Sequence, residues 1–326
     1  MRNQDYFRCP NLECTNSKAP TGRWFVRKGD FLQKWSGHRV PRYRCKCCGK
    51  QFSTSTFKDI CNQKKPFLNK QVYNFLCSGS SQRRLAENLG VARNTVVSKF
   101  RFLATKARKI HACEVVTGGL FTTEVQFDEQ ESFERTKKLP LSIAIAVDGR
   151  WGKGHGEGRI IDIEVASMPA RGRNAKDSQF IYGFRKDERE YGCCSVLATV
   201  KAATGGAIKI TTDAKPQYPG YVRRVLEDAT HKSFVNGRQE MVSRGERHPL
   251  WWLNQACAAN RHDLGRLRRR TCITTKKVLE LRRHLWLYVA HRNEYEKDLF
   301  DPLFWATKFA QTRLKIQLQG QKMLGE

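Results

Sequence analysis

The chain has 326 residues, with 60 Lys and Arg against 31 Asp and Glu, a formal charge of +29 and a pI near 9.9. That length accommodates two or three compact units and excludes a small disulfide scaffold, while the longest apolar runs fall far short of the ~20 residues of a membrane helix. The charge sits in two basic flanks around a nearly neutral middle: +18 over residues 1–120, +3 over 121–244 and +8 over 245–326. A chain this cationic accumulates on polyanions through counterion release, and nucleic acid is the default polyanion of a cytosol. The first ten residues lack the apolar core of a signal peptide, so the 12 cysteines are expected in a reducing, cytoplasmic compartment, as metal ligands and buried thiols.

The first predicted unit spans residues 1–58. Cys9-Pro-Asn-Leu-Glu-Cys14 and Cys45-Lys-Cys-Cys48-Gly49 form two knuckles, each offering two thiolates from a tight turn, as tetrahedral zinc requires. Cys9, Cys14, Cys45 and Cys48 are the expected ligands of a structural zinc ion, with Cys47 a competitor for the last place. Arg23, Arg27, Lys28, Lys34, Arg39, Arg42 and Arg44, between the knuckles, suit contact with phosphate.

Residues 59–112 read as a helix-turn-helix unit. Ser81 caps a short helix to Asn88, Gly90 allows the turn, and Ala92–Phe102 is the second helix. Leu85, Ala86, Leu89, Val91, Val96 and Val97 face a core at helical spacing, leaving Arg93, Asn94, Thr95, Ser98, Lys99 and Arg101 outward; Arg93, Asn94, Thr95, Ser98 and Lys99 are the expected DNA-binding residues. A plain helical hairpin has the same pattern, and the neighbouring basic ribbon favours DNA.

Beyond residue 119 the period changes to that of strands. Phe121–Phe127 ends at Asp128, Leu141–Val147 follows, Arg159–Ala166 alternates, and Ala207–Thr212 ends at Asp213. A helix-bearing connection before the fourth strand completes the requirement for an α/β sheet. The glycine-rich stretch 149–158 lacks the ending of a phosphate loop and reads as a hairpin tip, with His155 solvent-exposed. A helix is expected over 221–228, a basic helical segment opens at Pro249, and Val278, Leu281, Leu285, Tyr288 and Val289 form the stripe of a further helix. Trp251-Trp252 reads as core or as a stacking surface for bases, and Cys193, Cys194 and Cys257 as packing residues. Two aspartates at the ends of neighbouring parallel strands bring both carboxylates to one sheet edge, where hard divalent ions take oxygen ligands; turn formation is the plainer role for such residues.

The order of these pieces resembles the transposases of the insertion sequence one type: the Cys-Pro knuckle, Tyr43-Arg-Cys45-x-x-Cys48-Gly-Lys-Gln-Phe52, the helix-turn-helix, Phe127-Asp128-Glu129-Gln130, Thr211-Thr-Asp213, and Arg266-Leu-Arg-Arg-Arg-Thr271 followed by Lys276-Lys277. The resemblance covers about residues 9 to 297. It implies a zinc ribbon and helix-turn-helix that recognise element ends, then a ribonuclease H-like α/β domain over 119–297; residues 298–326, outside the resemblance, read as a C-terminal tail. It also implies double-stranded DNA as partner, an oligomer on that DNA, association with the bacterial nucleoid, and catalytic Mg²⁺ held by Asp, Asp and Glu. The two aspartates fall on Asp128 and Asp213. The glutamate falls on Asn254, which offers a carbonyl but no charge; Glu246 and Asp263 are the nearby acids. Arg261 shares a helical face with Asn254, and Arg266, Arg268, Arg269, Arg270, Lys276 and Lys277 are expected phosphate contacts. The expected activity is metal-dependent strand cleavage and transfer. A DNA-binding regulator without catalysis and a nuclease without joining activity are the rival readings.

Overall fold

The structure is a computed structural model that describes residues 8–151, 158–235, 248–309 and 312. Within these the chain forms two compact units, one of residues 8–70 with 297–309, the other of residues 71–296. His155 and Glu246 lie outside the described residues.

In the first unit a short helix α1 (Thr15–Lys18) precedes an antiparallel sheet of β1 (Phe25–Leu32), β2 (Arg39–Cys45) and β3 (Gln51–Ser53), in the order β1-β2-β3. Its core is small: the Trp24 ring stacks on Phe52 at 5.2 Å and meets Phe25 edge-on at 4.9 Å, and Trp24 and Phe52 pack with Cys9, Cys14 and Cys45. So few apolar side chains leave a sheet of this size dependent on a cross-link or metal. The segment 297–309 belongs to this unit, with the Asp59 N–H donating to the Pro302 carbonyl and the Trp305 N–H to Asp59 Oδ1.

The second unit begins with α2 (Asn69–Leu76), α3 (Gln82–Asn88) and α4 (Arg93–Thr117). Ser81 caps α3 as expected, accepting from the Arg84 N–H at 3.2 Å. Helix α4 runs 15 residues past the predicted end at Phe102, because Leu103, Ala107, Ile110 and Cys113 continue its buried stripe. Helices α3 and α4 therefore share a compact unit with the sheet that follows.

That sheet comprises β4 (Glu124–Phe133), β5 (Pro140–Asp148), β6 (Ile160–Ser167), β7 (Lys209–Asp213) and β8 (Thr230–Phe234), in the order β6-β5-β4-β7-β8. The first three strands are antiparallel neighbours; β7 is parallel to β4 and β8 parallel to β7. Helices α5 (Asn174–Tyr182) and α6 (Arg189–Thr204) form the long connection before β7, and α7 (Tyr218–Val225) links β7 to β8. Val125, Phe127 and Ile210 on one sheet face pack against Val196, Leu197 and Val200 of α6 and Val222 of α7. Helix α8 (Trp251–Asp263) packs on β4 and β5, and α9 (Val278–Arg292) packs along α4 and β6, before α10 (Glu296–Phe300). The protein is of the α/β class: a small antiparallel sheet with a four-cysteine cluster, then a five-stranded mixed sheet with flanking helices.

Several boundaries differ from the sequence reading. Strand β4 continues to Phe133, so Asp128 lies in mid-strand; antiparallel pairing with β5 carries the strand past it. Strand β8 has no counterpart among the sequence expectations, since Thr230–Phe234 is short, polar and largely exposed and lacks an apolar alternation. Helix α2 likewise precedes the two helices that the sequence predicts. The helix expected over 221–228 starts three residues earlier, at Tyr218.

On β6, Asp162 has its carboxyl pushed up to about 7 by burial, with the charge of Glu164 adding and a hydrogen bond from Thr199 opposing. The folded chain therefore keeps a proton that the unfolded chain has released, and stability falls as pH rises from about 4 to about 7. Asp162→Asn should raise the melting temperature at about pH 8 by a few degrees, a gain on the order of 2 kcal/mol, and change nothing near pH 3.5. Thermal melts across that range check this; equal or lower stability of the variant at pH 8 contradicts it.

Candidate functional sites: a cysteine cluster, an acidic pair and a basic groove

The four predicted ligands converge. The Sγ atoms of Cys9, Cys14, Cys45 and Cys48 all lie within 4.8 Å of one another, with Cys9 and Cys48 3.4 Å apart and Cys14 and Cys45 3.8 Å apart. Four thiolates at ~2.3 Å around a tetrahedral ion stand ~3.8 Å apart, so the cluster is consistent with a structural zinc site. Glycine at position 49, at φ 72°, closes the second knuckle in a left-handed turn that an L side chain adopts only with strain. Burial pushes the Cys45 thiol up, but backbone hydrogen bonds from Cys48 and Cys47 and one from the Asn16 amide bring it down to about 6, favouring the thiolate a metal binds. Cys47 is exposed and near the Thr15 hydroxyl instead, which leaves Cys48 as the fourth member.

In the second unit the acidic pair comes from two neighbouring parallel strands. Phe127 pairs with Thr212, so the next residues, Asp128 and Asp213, stand side by side across a strand spacing of ~4.8 Å. By strand alternation both lie on the face opposite Phe127 and Ile210, the face that α8 covers. Gln126 and Gln130 flank Asp128 on that face and are tied to α8: the Leu253 N–H donates to Gln126 Oε1 at 3.0 Å, and Gln130 Nε2 to the Cys257 carbonyl at 3.5 Å. The Leu253–Cys257 turn of α8 thus spans the part of β4 that carries Asp128.

Burial pushes the Asp128 carboxyl up to about 6; the charges of Asp213 and Glu129 add to this, and hydrogen bonds from the Glu129 N–H and the Tyr218 hydroxyl oppose it. The Tyr218 oxygen is 2.8 Å from Asp128 Oδ1 and 3.1 Å from Glu129 Oε2. Glu129 also pairs with Lys215 and accepts from the Ser142 hydroxyl. Asp213 Oδ1 accepts from the Lys215 N–H at 3.2 Å. Lys215 further lines a cleft of about 200 Å³ with Asp187, Arg189, Glu190, Gln217 and Tyr221.

The three candidates for the third position fare differently. Asn254 is on α8 but exposed, its amide 3.5 Å from His248 Nδ1. Asp263 is engaged at the far end of the helix by the Tyr288 hydroxyl at 2.6 Å and by His262 at 2.7 Å. Glu246 is outside the described residues. The helical face of Asn254 and Arg261 also carries Cys257, whose thiol is raised to about 12 by burial and by the Asp128 charge, with Arg261 opposing. That face therefore borders the acidic pair.

The third feature is a groove of about 560 Å³ that the sequence does not reveal, because its walls come from two distant motifs. Arg83 of α3 and Arg93 and Arg101 of α4 face Arg266, Lys276 and Lys277 of the basic segment, over a floor that includes Leu76, Val97 and Ile273. Against six cations there is one carboxylate, Glu280, which pairs with Arg101 at 2.6 Å. Burial lowers Arg266 to about 10, with Glu280 opposing, so it remains charged at neutral pH. The walls are joined where Gly265 meets the turn after α2: a methyl group there would sit 2.6 Å from the Gly79 carbonyl oxygen.

Several of the expected DNA-binding residues are placed otherwise. Lys99 is buried, not outward, because it falls on the packed side of α4 beside Phe100 and Leu103; burial lowers it to about 8. Asn94 and Ser98 are not buried with it, Asn94 being exposed and Ser98 and Thr95 outside the groove lining. Arg268 is exposed yet donates twice to the His262 carbonyl, at 3.0 and 2.8 Å, beside Gly79, so it clamps the loop. Arg269 and Arg270 are exposed. Trp252 is half-buried, 4.8 Å from the Trp151 ring, and Trp251 partly exposed, so the pair is neither a buried core nor a free surface. Sequence reasoning missed Tyr218, Lys215 and Glu129 as neighbours of the acidic pair; the one available signal was the adjacency of Glu129 to Asp128 and the closeness of Lys215 to Asp213.

No protein-family model matches the chain, and no curated protein matches it. Among the described residues, no helix is long and apolar enough to cross a membrane.

Metal analysis of purified protein should find about one zinc per chain. Cys48→Ser should lose most of that zinc and destabilise the first unit, whereas Cys47→Ser should retain it; equal zinc content in the two variants would contradict the ligand set.

Proposed function

We propose that the protein is a DNA transposase of the insertion sequence one type, with Asp128 and Asp213 forming the metal-binding pair of a ribonuclease H-like domain. The observation that carries this reading is the pairing of β4 with β7, which sets the two carboxylates side by side under α8. The strand order supports it: three antiparallel strands, then two parallel to the first, is the arrangement of ribonuclease H-like domains.

The residues present suit a hard divalent cation in part. Two oxygen donors stand together in a partly buried place, where burial first and then the charge of Asp213 raise the Asp128 carboxyl to about 6. Mg²⁺ bound there would stabilise charge on the oxygens of a phosphodiester under attack. Asn254 as third ligand would contribute a neutral oxygen only. The protein's own groups perform the rest: the Tyr218 hydroxyl orients Asp128, and Lys215 balances the charge of Glu129 beside the pair. Arg261, on the α8 face that borders Asp128, suits a phosphate of the strand to be cut.

DNA is held, in this reading, by the groove between the helix-turn-helix and the basic segment. Its surplus of cations matches the phosphate backbone, and Asn94 and Ser98 on the same helix as Arg93 suit base edges. The zinc-bearing unit adds further contacts to element ends, and two ends joined at once call for an oligomer. A regulator without catalysis is the second reading, favoured by asparagine at position 254.

Asp128→Asn and Asp213→Asn should each abolish Mg²⁺-dependent cleavage of element-end DNA, by about 10³-fold or more, with DNA affinity nearly unchanged. Uncut DNA with the unmutated protein would favour the regulator, and cutting without strand transfer the plain nuclease. Replacing Arg93, Lys276 and Lys277 with alanine should weaken duplex binding and reduce the slope of log affinity against log salt by about 0.9 for each phosphate that is no longer neutralised. An unchanged slope in filter-binding titrations contradicts the groove assignment.

A further inference from the structure

The segment from Arg171 to Tyr191 is used by neither the acidic pair nor the groove. Within it Phe180 is 93% exposed, Phe184 87% and Tyr191 73%, with Ile181 and Tyr182 also exposed. Helix α5 buries Ser178 alone, so its apolar side chains take no part in holding it. Polar ties dock it instead: the Ser178 hydroxyl donates to the Lys138 carbonyl at 2.6 Å, and Asp177 pairs with Lys138 at 2.8 Å. Large aromatic side chains left in water within one short stretch of chain, residues 180–191, mark a binding surface.

Charge decides the occupant. The carboxylates of Asp177, Asp187 and Glu190 are each paired with a cation, and Glu188 accepts from the Ser167 hydroxyl; Arg173, Lys176 and Lys186 carry no ion pair among the described residues, and Arg171 acts on Asp187 through its charge alone. A nucleic-acid strand brings phosphates to the cations and, when unpaired, flat bases to the rings. Position agrees: Asp187, Arg189 and Glu190 share a cleft with Lys215, which pairs with Glu129, the neighbour of Asp128.

We propose that this segment is a platform for single-stranded DNA, on which unpaired bases stack against Phe180, Phe184 and Tyr191 while Arg171, Arg173 and Lys186 bind the adjoining phosphates. It deepens the proposed function, resting on that reading for the purpose of the strand, which would be the one freed at the cut; the binding itself needs neither metal nor cleavage.

The test is fluorescence anisotropy of a labelled thymidine oligonucleotide and of a duplex with the full-length protein, without added Mg²⁺. The double variant Phe180→Leu, Phe184→Leu keeps an apolar surface but removes the stacking faces, and should weaken single-strand binding roughly ten-fold or more with duplex affinity unchanged. Phe180→Trp, Phe184→Trp should retain it. Both positions are exposed, so melting temperatures should match the unmutated protein. Undiminished single-strand affinity of the leucine variant overturns the proposal, as does unchanged affinity with a shift in oligomeric state on sedimentation, which would make the patch a contact between copies. Asp128→Asn should bind the oligonucleotide normally, so loss of cleavage in that variant and loss of binding in the leucine variant report separately on the two readings.

Discussion

Parallel pairing between β4 and β7 is the constraint on which the acidic site depends. Asp128 and Asp213 are 85 residues apart, and a parallel neighbour can be reached only by a crossover. Helices α5 and α6 make that connection, and α6 covers the sheet face opposite the carboxylates. On the other face α8 is bound through two buried glutamines that bracket Asp128, so the burial of that carboxyl follows from how the helix is attached. The raised affinity of Asp128 for its proton is the electrostatic result: two carboxylates in a partly dry place hold one charge more than they can easily keep. Lys215 and Tyr218, both just beyond β7, limit that repulsion by taking up Glu129 and Asp128.

A second dependency joins α3 and α4 to the basic segment near the end of the unit. The backbone of Gly265 lies so close to Gly79 that no side chain fits between them, and Arg268 fastens the same loop to the end of α8. What would otherwise be two basic surfaces becomes one groove, with α9 contributing Glu280 to balance Arg101. Part of the arginine run is thereby used for architecture and part stays exposed, a division that net charge does not reveal. The segment around α5 shows the converse: its aromatics, ordinarily core residues, stay in water because its docking is polar.

The cysteine cluster is legible in the sequence because ligand chemistry demands a set number of thiolates from tight turns, a demand met by local spacing. The alternation of β6 and the stripe of α9 are legible for a related reason, burial on a fixed period. Asp128 reads as a strand end, yet its strand continues on the strength of pairing with β5, a partner that local propensity does not register. Lys99 reads as an outward residue because of its polarity, yet its register puts it on the packed side of α4. Strand β8 exists through its parallel ladder to β7 and not through apolar alternation, so nothing in Thr230–Phe234 announces it.

By itself the sequence determined the positive charge, the four thiols, the capped turn before α3 and the two aspartates with their apolar approaches. Each of these is written in neighbouring residues, where side-chain chemistry and period act over a few ångströms. Only the tertiary structure decided that the aspartates stand together, that α3 and α4 share a groove with a basic loop some 180 residues later, and which cations, among the described residues, have no carboxylate partner. Those outcomes depend on contacts between segments far apart in the chain, whose geometry is set by the packing of the whole unit and is encoded at no one position.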